Sequence, residues 1–268
     1  PIVVSINGVV FAEEDAKVSV FDRGFLYGDS VFEVYRTYDG VPFAEAEHLT
    51  RLARSAERLL IPMPVDLGTL AREAAAAHVA TGNPDSYLRL VITRGSGPLT
   101  YDLTTAKDPT RVIIAAPVPT IPESHYTAGV AVRIMQVSRP TDDKAAAGVK
   151  ASNYLANLLA VHEAKQKGAH EAIITGRGGE VLEGASSNVF VVKDGRLRTP
   201  PFELQRKASL LQFLQRAGGG QLLGGARRQA QADAELTPGH QPVAHRRHVA
   251  AELARTSAHD SPGWMLLQ

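Results

Sequence analysis

The chain contains no cysteine, so within it disulfides, thiolate nucleophiles and cysteine-ligated zinc are excluded, and the composition is consistent with a reducing compartment. It also lacks an excess of either charge. With 29 Lys and Arg against 28 Asp and Glu, the formal net charge is +1, which offers no electrostatic handle for nucleic acid or an anionic membrane. No apolar run approaches the roughly 18 residues that span a bilayer. Residues 1–10 lack the basic flank and long apolar core of a signal peptide, and the expectation is a cytoplasmic protein. Aromatic residues are scarce at 6%, but a 44% hydrophobic content over 268 residues can fill one large core or two of ordinary size. Chemistry therefore has to come from Lys, Arg, Tyr, Glu, Ser or His, acting on a small molecule.

Hydrophobic spacing in the first 115 residues alternates between strand and helix periods. Residues 2–10, 19–21 and 31–37 read as β, residues 22–28 as a glycine-bounded turn, and Asp39-Gly40 as a hairpin onto 41–43. Residues 47–60 and 67–80 carry apolar side chains at helical spacing, and strands are predicted at 87–94 and 111–116. Three prolines within residues 116–122 suit an extended linker, which divides the chain into domains at 1–117 and 118–268. Beyond it come a strand at 129–137, a helix at 152–166 with Ser152 as N-cap, a strand at 171–175, a turn at 176–179, and a hairpin of 188–193 with 196–199 around Asp194-Gly195. The predicted fold class is α/β (α+β).

Lys150 stands immediately before the predicted helix start. The positive end of a helix dipole favours the neutral amine, the form that makes a Schiff base with an aldehyde and later moves a proton. Position alone is weak support, since most lysines are solvated surface charges. Glu183, in a run of small residues ending at Asn188 and Phe190, could hold the ring nitrogen of a pyridoxal group protonated. Arg51 shares a helix face with His48 and Ser55, where its guanidinium could grip a phosphate. Taken singly, the bland readings are a turn carboxylate and an exposed helix arginine.

Together these pieces resemble class IV aminotransferases, a family that includes branched-chain and D-amino-acid aminotransferases and aminodeoxychorismate lyases. The resemblance rests on Asp22-Arg-Gly-Phe-Leu-Tyr27-Gly28-Asp-Ser-Val-Phe32-Glu-Val, His48-Leu-Thr-Arg51, Val149-Lys150-Ala-Ser-Asn153-Tyr154-Leu and Leu182-Glu183-Gly184-Ala-Ser-Ser-Asn188-Val-Phe190, which keep family order and spacing. It implies a two-domain, fold-type IV enzyme with pyridoxal 5'-phosphate between the domains, working as a homodimer on an amino acid and a 2-oxo acid. It further implies that Lys150 carries the cofactor covalently, that Glu183 contacts the pyridine nitrogen, that Arg51 binds the phosphate, and that Tyr154, Ser187 and Asn188 complete the cofactor set. For the substrate, Tyr87-Leu-Arg89 resembles the carboxylate-binding residues of branched-chain enzymes, and Thr93-Arg94-Gly95 the arginine segment of D-amino-acid enzymes. On a regular strand Arg89 and Arg94 face opposite ways, and Arg89 is favoured. Tyr27 and Phe32 line an apolar pocket by family position, while Val34 stands where branched-chain enzymes carry glycine. The expected reaction is transamination of a branched-chain or other aliphatic amino acid. Aminodeoxychorismate lyase, D-amino-acid aminotransferase and a non-catalytic homologue remain alternatives.

From about Pro200 onward the composition changes, with no Ile or Tyr and only two Val and two Thr. The family's phosphate-binding turn at a helix N-terminus is missing from this stretch, so residues 202–268 are atypical. A change of reading frame or error in the sequence and a divergent tail both account for this, and an intact mass separates them. His245 and His248 lie three apart without supporting ligands and read as surface residues, so no metal is expected.

Overall fold

The computed structural model describes residues 1–137, 149–176, 178–193, 196–200 and 263–267. These fall into two compact units, one of residues 1–120 with 149–154, the other of residues 121–137 with 155–200 and 263–267. The predicted hairpin of 188–193 with 196–199 is present as an antiparallel pair, while its turn at Asp194-Gly195, the composition break after Pro200 and the two tail histidines lie outside the described residues. Among the described residues no helix is long and apolar enough to cross a membrane.

The first unit is a six-stranded antiparallel sheet ordered β2-β1-β6-β5-β3-β4. Its strands are β1 (Val3–Ile6), β2 (Val9–Ala12), β3 (Ser30–Tyr38), β4 (Val41–Pro42), β5 (Ser86–Thr93) and β6 (Arg111–Pro117). The single strand expected over 2–10 is a hairpin instead. Asn7 and Gly8, both at positive φ (51° and 86°), turn it, and Ile6 then faces Val9. Helices α2 (Glu45–Arg58) and α3 (Leu67–Thr81) pack against the sheet. The core joins Leu49, Leu52 and Ala56 of α2 and Leu70, Ala74 and Ala77 of α3 to Val31, Tyr35, Leu88, Leu90 and Ile92 of the strands. Each fully buried leucine contributes about 1.5–3 kcal/mol relative to exposure.

Residues 19–21 are not a strand, and the expected turn at 22–28 is a short helix, α1 (Arg23–Tyr27). Asp22 caps it by accepting from the Gly24 amide at 2.8 Å, and Gly28 closes it in the left-handed conformation. Arginines clamp this corner. Arg23 Nε donates to Asp29 Oδ2 at 3.0 Å, Arg94 Nε donates to the same oxygen at 2.7 Å, and Arg94 Nη2 donates to Asp29 Oδ1 at 3.0 Å.

The second unit holds α4 (Glu123–Thr127) and α5 (Leu155–Gln166) with two three-stranded sheets. One is β7 (Val132–Gln136), β8 (Glu171–Thr175) and β9 (Val181–Gly184), with β7 and β8 parallel. The other is β11 (Arg196–Arg198), β10 (Asn188–Lys193) and β12 (Gly263–Leu267). Ala160, Ala164, Ala172, Ile174 and Leu182 form a core between α5 and the first of these sheets. Helix α5 begins three residues later than expected, so Ser152 is not its N-cap.

Gly95 ends β5 at φ +89°, and a Cβ there would lie 1.9 Å from the backbone oxygen of Asp108, whereas one at Gly28 (φ +66°) would meet nothing within 4 Å. Gly28→Ala should cost about 1–2 kcal/mol for its left-handed backbone. Gly95→Ala should cost clearly more. Denaturant unfolding of the two variants measures the difference.

Candidate active site

Residues 150–152 run along the edge of β3. The Phe32 amide donates to the Lys150 carbonyl at 3.0 Å, the Ser152 amide donates to the Ser30 carbonyl at 3.1 Å, and Val31 bridges Ala151. Val149 and Ala151 turn into the first unit's core, so the Lys150 side chain between them turns the other way, onto the Phe32 ring. Its Nζ lies 4.9 Å from the ring centroid, and the residue is 6% exposed. Extended backbone, not a helix N-terminus, surrounds this lysine, so the helix-dipole argument does not apply.

A carboxylate takes the dipole's place. Glu33, at the centre of β3, is 0% exposed, and its Oε2 lies 3.7 Å from Lys150 Nζ. From α2, Arg51 donates to it through Nε and Nη2, both at 2.5 Å, and His48 Nδ1 is 2.9 Å from Oε2. Burial pushes the Glu33 carboxyl up, but Lys150, Arg51 and His48 together outweigh it and hold the group far below the usual carboxylate range. For His48, burial pushes the imidazole down despite the Glu33 carboxylate, and because that carboxylate only accepts, Nδ1–H donates to Oε2. Arg51 is thus buried, not the exposed helix arginine of the bland reading. Its Nη1 is buried and has no hydrogen-bond partner among the described residues.

Phe32 gathers three of the residues singled out from the sequence. Besides Lys150, the Arg89 guanidinium carbon stands 4.0 Å from its ring centroid, and Tyr154 meets it edge-on at 5.2 Å. Register places Arg89 opposite Val34 and Tyr87 opposite Arg36 on adjacent strands, so Tyr87, Arg89, Phe32 and Val34 share one sheet face. Arg94, the other candidate arginine, is engaged within the fold. Besides its Asp29 bonds, it donates Nη1 to the Leu60 carbonyl at 2.5 Å and Nη2 to the Leu59 carbonyl at 2.7 Å, so its fork is spent on the end of α2. Tyr27 is 39% exposed, with its ring 5.7 Å from that of Tyr101 and beneath the Arg23 guanidinium.

In the second unit Glu183 lies on β9 rather than in a turn and is fully buried. The turn follows it. Glu171 on β8 organises that turn by accepting from the Ser186 amide at 3.1 Å, from the Ser186 hydroxyl, and from Ser187 Oγ at 3.2 Å. Asn157 Nδ2 donates to the Ala185 carbonyl at 2.7 Å, and Asn188 opens β10 with its Oδ1 buried and without a hydrogen-bond partner among the described residues. Among the described residues no group of three or more His, Asp or Glu could hold a metal ion.

Sequence reasoning passed over Glu33. The signal was present, because strand alternation places it between the buried Val31 and Tyr35, and a carboxylate at such a position needs partners.

A buried guanidinium with a spare N–H and a buried lysine, sharing one carboxylate, suit an anionic carbonyl cofactor such as pyridoxal phosphate. Residues 30–209 match the family model for amino-transferase class IV, and the chain belongs to that family. It is 40% identical over 198 residues to a protein provisionally named branched-chain-amino-acid aminotransferase from Methanocaldococcus jannaschii, covering 74% of this chain and 68% of that one. A D-alanine aminotransferase of Staphylococcus epidermidis is 34% identical over 201 residues, with coverage of 74% and 68%. The crystal structure of 4-amino-4-deoxychorismate lyase from Pseudomonas aeruginosa superposes with a TM-score of 0.68 at 31% identity, covering 81% of this chain and 78% of that one. The chain is a pyridoxal-phosphate-dependent aminotransferase of class IV.

Burial lowers the proton affinity of His48 in the fold, whereas the unfolded chain takes up its proton near the ordinary value of 6.5. Its contribution is therefore complete above that pH and is lost as pH falls below it, by at most about 1.4 kcal/mol per unit. Glu33 has the depressed carboxylate pattern, so its contribution is complete above the ordinary value of 4.5 and is lost progressively only below it. Thermal unfolding between about pH 7.5 and 5.5 should show a falling midpoint. His48→Asn, which keeps an N–H donor near Nδ1, should flatten that fall.

Proposed function

We propose that the chain transaminates a branched-chain or other aliphatic amino acid to its 2-oxo acid, with Lys150 as the group that moves the proton at the substrate Cα. The observation that carries this reading is the Lys150–Glu33–Arg51 cluster, with the buried Nη1 of Arg51 left over for an anion. When bound, pyridoxal phosphate supplies an aldehyde to capture the amine and a ring that draws electrons from the Cα. Arg51 would hold its phosphate, Glu183 would keep its ring nitrogen charged, Ser187 and Asn188 would add polar contacts, and Tyr154 would lie against it. Lys150 Nζ then takes the Cα proton and returns it, as general base and general acid in turn.

Arg89 is the substrate-carboxylate partner in this reading, because among the described residues its guanidinium meets only the Phe32 ring while Arg94 is committed elsewhere. Phe32 and Val34 beside it suit an aliphatic side chain. The branched-chain assignment draws support from the 40% identical relative. The resemblance also implies a cytoplasmic homodimer, and the exposed Val20, Phe21, Phe25, Leu99 and Tyr101 suit burial against a second copy.

The test is amino-group transfer from leucine, valine, glutamate and D-alanine to a 2-oxo acid. Turnover with leucine or valine supports the reading. A preference for D-alanine overturns the substrate assignment, and pyruvate release from aminodeoxychorismate without an acceptor indicates the lyase. Lys150→Ala should abolish transfer while the protein still binds pyridoxal phosphate non-covalently, and an unchanged rate would remove Lys150 from the mechanism. Arg89→Leu should lower kcat/KM by about 10–100-fold, the loss of a charge-assisted hydrogen bond.

A further inference from the structure

We propose that Glu33 is a positioning residue whose carboxylate, shared between Arg51 and Lys150, sets the pH at which the Lys150 amine becomes a nucleophile. This rests on the reading of Lys150 as the lysine that captures the cofactor.

The four groups are unequal partners. Arg51 takes Glu33 in a two-pronged grip and His48 occupies Oε2 from the side, both at hydrogen-bonding distance. Lys150 Nζ, at 3.7 Å from the same oxygen, is held by charge and stands beyond an ordinary hydrogen bond. At that distance the carboxylate acts on the lysine as a counter-ion. Two opposing effects act on its proton. The permanent charge of Arg51 expels it, and the carboxylate retains it. Arg89, whose guanidinium shares the Phe32 ring with Lys150, adds to the expulsion, while His48, whose proton affinity burial lowers, adds charge only where it takes up a proton. Glu33 therefore cancels Arg51 as seen by the lysine. Without it two or three cations would crowd one buried pocket and the amine would lose its proton at much lower pH, leaving it poorly able to hold the proton it must later return.

A stabilising role alone would affect unfolding but not the ionisation of Lys150, so the experiment reads ionisation directly. The full-length chain stripped of cofactor is labelled with pyridoxal and cyanoborohydride across pH, and modified peptides are quantified by mass spectrometry. Pyridoxal lacks the phosphate, so altered anion binding at Arg51 does not confound the result. In the wild type, label should reach Lys150 with a sigmoidal pH profile. Glu33→Gln should move the midpoint down by ~1–3 pH units. Glu33→Asp, which keeps the charge, should bring it back towards wild type. Arg51→Gln should move it up, and carries the test if Glu33→Gln does not fold. A Glu33→Gln midpoint equal to wild type, or an Arg51→Gln midpoint that does not rise, overturns the proposal while leaving the Lys150 assignment intact. Absence of label from Lys150 in the wild type overturns that assignment and this proposal with it.

Discussion

A carboxylate in the middle of a buried strand is unstable unless its charge is met, and Glu33 is met from two directions. Helix α2 brings Arg51 and His48 down onto it, and the segment along the β3 edge brings Lys150. Desolvating such a group costs several kcal/mol, which only well-placed partners offset. The arrangement is therefore better understood as specifying geometry than as adding stability. Arg51 is fixed by two of its nitrogens, and this leaves the third to project. An unused donor on a rigid, buried guanidinium is what an anion-binding position needs, and here it follows from an ion pair within the fold.

The motif at 22–29 looks catalytic by resemblance, yet its charged members are largely structural. Asp22 caps α1 and also accepts from the Thr93 hydroxyl at 2.8 Å, while Asp29 receives both Arg23 and Arg94. These contacts tie the start of β3 to the end of β5 and to the last turn of α2. Phe32 and Glu33 follow two and three residues after Ser30, where that framework begins, so the clamp indirectly places the site. The same bonds support the proposal of Arg89 over Arg94 as the substrate-carboxylate partner. Arg94 is engaged in holding the corner, and the Arg89 guanidinium, on the other face of β5, lies over the Phe32 ring.

The elements and their order were legible in the sequence because apolar spacing is local. Period-two and period-3.6 patterns placed β3, α2, α3, β5, β6 and β8 nearly where they lie. The errors fell where short polar segments decide the structure, as at 22–28, where a side-chain cap and a left-handed glycine make a helix, and at Ser152, a plausible cap from its residue type alone. The family was legible because four motifs carry it in order, independent of any fold.

The sequence by itself determined the class of chemistry, by lacking cysteine and carrying a lysine, an arginine and a glutamate in a recognisable order. Only the tertiary structure decided how those groups are tuned. It replaced the expected helix terminus behind Lys150 with the carboxylate of Glu33, buried Arg51, and tied Arg94 to Asp29 and the end of α2. The physical reason is range, since backbone propensity acts over a few residues and is written in the local pattern. A buried charge instead takes its partners from wherever the chain returns, 18 residues on for Arg51 and much further for Lys150.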